Sequence, residues 1–333
     1  TKNLYEGYQL LACDGSNLTI APNLNDPETL WKSNQLGATG NHLHLNALYD
    51  VLNRTYIDAL VQTASTYQEH RACIQMIERV TLDKVILIAD RGYENYNIMS
   101  HAIEKGWKFL IRIKDVHSNG IASGLELPQT AVFDMDINLI LTRNQTKSKK
   151  QAGYKFMPTV QTFDYLPIGS KEDYPISFRI ARFKIADDSY ETVITNLDRF
   201  CFSAEKLKEL YHLRWGIETS FRELKYAIGL TSFHAKKVDY IKQEIFARLT
   251  LYNYCELITT YVVEHTENIS KKNQVNFTIA IYICREYLRR KRKLRPPDVV
   301  KLIEKHILPI RPGRRDPRKV KPQASVSFLY RVA

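Results

Sequence analysis

The sequence predicts an α/β protein: a mixed sheet with helices, interrupted by a β-rich insertion. Three stretches carry that expectation. Val85–Ala89 (VILIA) is a continuous apolar run, as a strand covered on both faces reads. It is followed by a helical segment, Asn97–Lys105, closed by Gly106, and by a second apolar run, Phe109–Ile113 (FLIRI). Two buried strands joined by a helix make a parallel βαβ unit. After Lys114, Phe133–Leu141, Pro158–Phe163, Ile176–Ile185 and Glu191–Asn196 read as strands with no helix between them. From Ser203 to about Glu267 the periodicity is helical.

In chain order, Tyr8–Cys13 reads as a strand ending in an Asp14-Gly15-Ser16 turn, which places Asp14 at its carboxyl end. His42–Val51 and Thr55–Val61 form a hairpin around Leu52-Asn53-Arg54. Tyr67–Val80 is a helix with Ala72, Ile74, Met76 and Ile77 inward. Asp90 follows VILIA directly, and ligands of such sheets gather outside the carboxyl ends of the strands. Asp115–Gln129 is loop-like, Lys147–Gln151 (KSKKQ) is a basic loop, and Glu191–Asn196 suits either unit. Ser203 is an N-cap, with Lys206 where a capping box wants Glu. Ile279–Arg292 is an amphipathic helix running into RRKRK, and the Pro-, Gly- and Arg-rich tail lies extended. The division is 1–117 for the first part of the core, 118–197 for the insertion, 198–267 for the second part of the core and 268–333 for a basic C-terminal region.

Composition narrows the function. The 333 residues carry a net charge of +12 with pI about 9.3, which favours a polyanionic partner. Arg285–Lys321 holds 15 Lys/Arg against 4 Asp/Glu, nearly all of the excess. The five cysteines show no C-x-x-C spacing, so neither a zinc site nor a disulfide framework is expected, and a reducing compartment suits them. The most apolar long run, Ile245–Val263, contains Arg248, Asn253 and Glu256 and reads as a core helix, not a membrane span.

The most informative stretch is Tyr211–Lys225 (YHLRWGIETSFRELK). In a helix, offsets of three, seven and fourteen residues return to within roughly 60° of the start. Tyr211, Arg214, Glu218 and Lys225 then share one face, with Arg222 close to it and Trp215 at its border. A carboxylate set among cations suits metal ions and phosphate. A solvated face with intra-helix ion pairs, each worth about 0.2–0.5 kcal/mol, suits the same residues. Asp14, likewise, is also an ordinary turn aspartate by its Asp-Gly context.

The spacing Tyr211, Arg214, Glu218, Lys225 resembles the Y-R-E-K signature of the DDE transposases of the insertion-sequence-four family. Asp14-Gly15, Asp90-x-Gly92-Tyr93 and the β-rich gap before Tyr211 complete the resemblance, which spans residues 8 to about 235. It implies a ribonuclease-H-like core interrupted by a β domain. It further implies Asp14, Asp90 and Glu218 as catalytic residues and ligands of Mg²⁺, with Mn²⁺ able to substitute, and cut-and-paste transposition of DNA through a hairpin intermediate. Two ions about 3.5–4 Å apart stabilise the attacking and leaving oxygens together, so the three carboxylates are expected to converge on one such site. Tyr211, Arg214 and Lys225 would hold phosphates of the DNA end, Arg222 and the basic-block residues Arg289, Arg290 and Arg292 would add DNA contacts, and Trp215 would either stack on a base or pack at the helix border. Tyr93 is a packing residue beside Asp90. The implied partner is double-stranded DNA, as element ends and target, bound by a homodimer in the nucleoid-associated cytoplasm of a bacterial-type cell. The chain opens without Met, and the DNA-binding region that the resembling family usually carries ahead of the first strand is expected to be missing. The alternatives are a ribonuclease-H-like nuclease that cuts without joining, a catalytically inactive DNA-binding remnant or inhibitor and, more distantly, a paired-carboxylate glycosidase.

Overall fold

The computed structural model describes residues 2–32, 39–116, 118–265, 273–291 and 295–309. Its first half runs β1 (Gln9–Ile20), β2 (Leu30–Lys32), β3 (Thr39–Asp50), β4 (Thr55–Thr63), α1 (Glu69–Arg79), β5 (Val85–Ala89), α2 (Tyr96–Glu104) and β6 (Lys108–Arg112). β7 (Phe133–Thr142), α3 (Gln145–Lys150), β8 (Tyr154–Phe156), β9 (Asp173–Ala186) and β10 (Ser189–Thr195) follow. The chain then becomes helical in α4 (Ala204–Leu213), α5 (Trp215–Glu223) and α6 (Val238–His265), with β11 (Asn273–Val275), α7 (Phe277–Arg289), α8 (Val299–Glu304) and β12 (Ile307–Pro309) beyond.

The VILIA strand sits near the middle of one large sheet, ordered β2-β3-β1-β5-β6-β10-β9-β7-β8, with β4 also on β3. β1, β5 and β6 are mutually parallel, and β3, β4 and β10 pair antiparallel with their neighbours. Alternation along β5 explains why every one of its residues is apolar. Val85, Leu87 and Ala89 join the core under α1 and α2, whereas Ile86 and Ile88 join the core under α4. A third cluster packs α5, α6, α7 and α8 against β3 and β4.

Several expectations change. β1 does not turn at Asp14-Gly15-Ser16. β3 pairs with it from Leu11 to Ile20, so the backbone groups of those residues stay in a ladder; only the parallel partner β5 ends, at Cys13↔Ala89. The β-rich stretch forms no sheet of its own, because β10 pairs with β6 on one side and β9 on the other. Pro158–Phe163 is a turn region, not a strand. The Arg143 guanidinium gathers the carbonyls of Met157, Pro158, Gln161 and Leu166, and Pro158 has no N–H for a ladder. The basic KSKKQ stretch lies mostly in helix α3, because Asn144 caps it through the N–H groups of Thr146 and Lys147. The helical run after Ser203 is interrupted from Gly229, at φ 92°, to Lys237. In α1 the buried residues are Ala72, Cys73, Met76 and Ile77, with Cys73 inward in place of the half-buried Ile74. The five cysteines are free. The expected extended tail lies outside the described residues. No helix among the described residues is long and apolar enough to cross a membrane.

Arg143→Met should strand those carbonyls. The expected loss is about 1–3 kcal/mol of unfolding free energy, read from urea titrations, with faster amide exchange around Gln161.

Candidate active site

Two aspartates meet because of strand register. Gln9↔Val85 through Cys13↔Ala89 are the parallel pairs of β1 and β5, so Asp14 and Asp90 are neighbours just past the last one. By alternation they share the side of Leu10, Ile86 and Ile88, the side covered by α4. Each is steadied by backbone that follows it. The Gly15 N–H donates to Asp14 Oδ1 at 2.8 Å, and the Gly92 N–H donates to Asp90 Oδ1 at 2.8 Å.

The Y-R-E-K residues come from a broken helix laid over that face. Tyr211 lies in the last turn of α4, Arg214 is the joint, Glu218 lies in the first turn of α5, and Lys225 sits in a π-turn, Leu224–Ile228. The buried Arg214 guanidinium joins the two sides of the site. Its Nη2 is 2.8 Å from Glu218 Oε1 and its Nη1 is 3.8 Å from Asp14 Oδ2. It lies over the Trp215 ring at 4.9 Å and the Tyr211 ring at 5.6 Å. Arg214 Nε and the Tyr211 hydroxyl are buried without a hydrogen-bond partner among the described residues.

Burial and charge crowding decide the electrostatics. The Asp14 carboxyl is pushed up to about 6, first by burial and then by the negative charges of Asp90 and Glu218. The Gly15 N–H and Arg214 oppose this and lose. The donor set is all oxygen, as Mg²⁺ prefers, and its negative charge exceeds what one guanidinium offsets. Among the described residues no three His, Cys, Asp or Glu already form a metal cage. Asp14 and Asp90 are adjacent, and Glu218 is tied to Asp14 through Arg214, so the residue types fit the ion while the expected convergence is incomplete.

The remaining sequence candidates scatter. Trp215 is 45% exposed at the helix border. Lys225 is half-buried, its ammonium pulled below the ordinary lysine range by burial, and it makes no ion pair with the three carboxylates. Arg222 lines a different cavity, of about 820 Å³, with Arg54, Glu223 and Glu256. Arg289 lies 3.8 Å from Glu286, and Arg290 stands over the Tyr287 ring. Arg292 lies outside the described residues. Tyr93 is buried in the α1/α2 core, a packing residue.

Sequence reasoning missed the support behind the aspartates. His44 Nε2 is 3.0 Å from Glu69 Oε1, and its Nδ1 is 2.7 Å from Asn17 Oδ1. A Cβ on Gly15 would come within 2.4 Å of His44 Nε2 and 2.9 Å of Glu69 Oε1, so a side chain here displaces that pair. His70 Nε2 donates to the Gly92 carbonyl at 2.5 Å. The alternating HLHLN run carried a signal for His44; nothing local announced Glu69 or His70.

A mixed sheet thus bears paired carboxylates beneath the Arg214–Glu218 joint of a broken helix. The chain belongs to the transposase DDE domain family, whose model matches residues 5–254. It is 23% identical over 178 residues to a probable transposase for insertion sequence element IS5377 from Geobacillus stearothermophilus, a match covering 53% of this chain and 40% of that protein. The chain thus spans less than half the length of that relative. A piggyBac transposase synaptic complex with hairpin DNA, solved by cryo-EM, aligns over 92% of this chain and 59% of its own, at TM-score 0.47 and 10% identity.

Two outcomes test this description. Asp14 binds its proton more tightly folded than unfolded, so its ionisation lowers stability as pH rises from about 4 through 6. Metal-free Asp14→Asn should therefore match wild type near pH 4 and exceed it above pH 6, by at most about 3 kcal/mol, in melting experiments across pH. Gly15→Ala should lose about 1–3 kcal/mol in chemical denaturation, because His44 and Glu69 must be displaced.

Proposed function

We propose that this chain is the catalytic part of a transposase that cleaves DNA and joins the cut end to a target in a divalent-metal-dependent reaction. One observation carries the reading: Asp14 and Asp90 stand together at the end of the parallel β1–β5 pairing, beneath the helix face that presents Glu218 and Arg214. The β4-β3-β1-β5-β6 order, an antiparallel meander followed by two parallel strands, supports a ribonuclease-H-like core.

Asp14, Asp90 and Glu218 would hold Mg²⁺ or Mn²⁺. The ions would supply Lewis-acid stabilisation of the charge on the attacking and leaving oxygens. Arg214 already pairs with carboxylates and has an unpartnered Nε, so it is placed to take a phosphate at the cut end. Tyr211 and Lys225 extend that grip, and the exposed Trp215 ring offers a stacking surface, worth about 1–3 kcal/mol per base. Water would first cleave one phosphodiester at the element end, freeing its 3′-hydroxyl and leaving a 5′-phosphate on the flank. That hydroxyl would attack the opposite strand, closing a hairpin and expelling the flanking 3′-hydroxyl. A second water would reopen the hairpin, and the regenerated 3′-hydroxyl would attack a target phosphodiester and displace a target 3′-hydroxyl. The partner is duplex DNA, as element ends and target, and the basic segment Arg285–Lys321 has the charge for sequence-blind phosphate contacts.

Asp90→Asn should abolish nicking of end-bearing duplexes in Mg²⁺ while leaving DNA affinity within a few-fold in gel-shift titrations; persistent nicking would refute the assignment. Lys225→Ala should reduce joining or hairpin processing more than nicking when the steps are assayed separately. Equal losses would favour a nuclease that does not join.

A further inference from the structure

A cleft of about 630 Å³ opens one residue beyond Asp90, on the turn that follows β5. Its walls come from separate parts of the chain: Arg91 and Gly92 after β5, Lys114 after β6, the loop around Gly120, and Lys155 on β8. The cleft therefore lies between the core strands and the strands that extend the sheet, at the carboxyl ends of the parallel pair β5–β6, where ligands of such sheets collect.

Its charge is the informative feature. Arg91, Lys114 and Lys155 line it, and none of the three forms a salt bridge among the described residues. Among the described residues Lys114 Nζ hydrogen-bonds only the Asn119 carbonyl, at 3.3 Å, and Lys155 Nζ only the Ser123 carbonyl, at 3.5 Å. The one carboxylate lining the cleft, Glu94, is turned to the backbone: its oxygens accept from the N–H groups of Lys114 and Ile121. Gly120 leaves room for it, since a Cβ there would meet Glu94 Oε1 at 2.4 Å. The acid thus shapes the loop, and among the described residues it forms no salt bridge with any of the three cations, which outnumber it in the cleft. His70, hydrogen-bonded to the Gly92 carbonyl, fixes the wall nearest Asp90.

We propose that this cleft binds the phosphodiester backbone of a single DNA strand as it runs from the carboxylate site, with Arg91, Lys114 and Lys155 contacting phosphates. The inference rests on the DNA-cleaving reading of Asp14, Asp90 and Glu218. It adds a path for the strand on the side of the sheet away from the Y-R-E-K helix. Contacts from flexible cations to phosphate carry position and not sequence, so the cleft is indifferent to base identity.

The test is a binding titration without divalent metal, so that no cleavage enters. Wild type and the Lys114→Gln/Lys155→Gln double variant are titrated with a blunt duplex and with the same duplex carrying a single-stranded extension, at several salt concentrations. Wild type should bind the extended duplex more tightly and with a steeper dependence on salt. In the double variant that gain should vanish, and the slope on the extended duplex should fall by about 1.4, for two lost single-strand phosphate contacts. Blunt-duplex affinity should not change. The charge-keeping Lys114→Arg/Lys155→Arg pair should restore the gain, which separates lost charge from damaged folding. The proposal is overturned if wild type shows no preference for the extension, if both substrates lose affinity equally, or if the arginine pair fails to restore the gain while melting like wild type. Asp90→Asn, which removes cleavage under the proposed function, should keep the preference. Failure of the catalytic reading would appear as nicking by that variant, an outcome independent of these titrations.

Discussion

The site depends on the register of two parallel strands. Once Cys13 is opposite Ala89, alternation puts Asp14 and Asp90 side by side on one face, and both must share a partly buried space. Two anions so placed need a positive partner, and the chain supplies Arg214 from the joint of a broken helix. Even so, burial and the neighbouring charges win, and Asp14 holds its proton to about pH 6. A site crowded in this direction would gain from a nearby cation, which is the physical basis of the metal-dependent reaction proposed above.

That constraint is transmitted outward. The helix bearing Glu218 must be held in place over the sheet, and α6 does much of the holding. The Tyr252 hydroxyl donates to Glu223 Oε2 at 2.9 Å and meets the Tyr49 hydroxyl at 3.1 Å, so α5, α6 and β3 share one polar contact. Arg54, in the β3–β4 turn, bonds the buried Glu256 carboxylate at 2.7 Å. On the opposite face, His44 packs against the β1 backbone at Gly15 and His70 braces the turn after Asp90. The site is thus clamped from both sides of the sheet. β10 ties the β-rich strands to the same scaffold by joining β6 to β9.

Much of this was legible in the residues alone. VILIA announced a strand buried on both faces because each side of the sheet needs its own apolar layer. The β3–β4 hairpin, α1, α2 and the Ser203 cap followed from local periodicity and capping chemistry. The Y-R-E-K spacing drew attention to the helix over the site, and the transposase family emerged from the same motifs.

What the sequence by itself determined was therefore local: which runs must be buried, where helices start, and which charged residues recur at helical spacing. What only the tertiary structure decided was long-range pairing. No local pattern says that β1 continues past Asp14, because its extension depends on β3, a partner more than twenty residues away. Arg143 shaped the Pro158–Phe163 turn from outside it, and the partners of Glu69 and His70 are likewise set by three-dimensional placement. Periodicity encodes which face of an element is apolar. Register, ion pairing and cavity walls come from elements that meet only after the chain has folded.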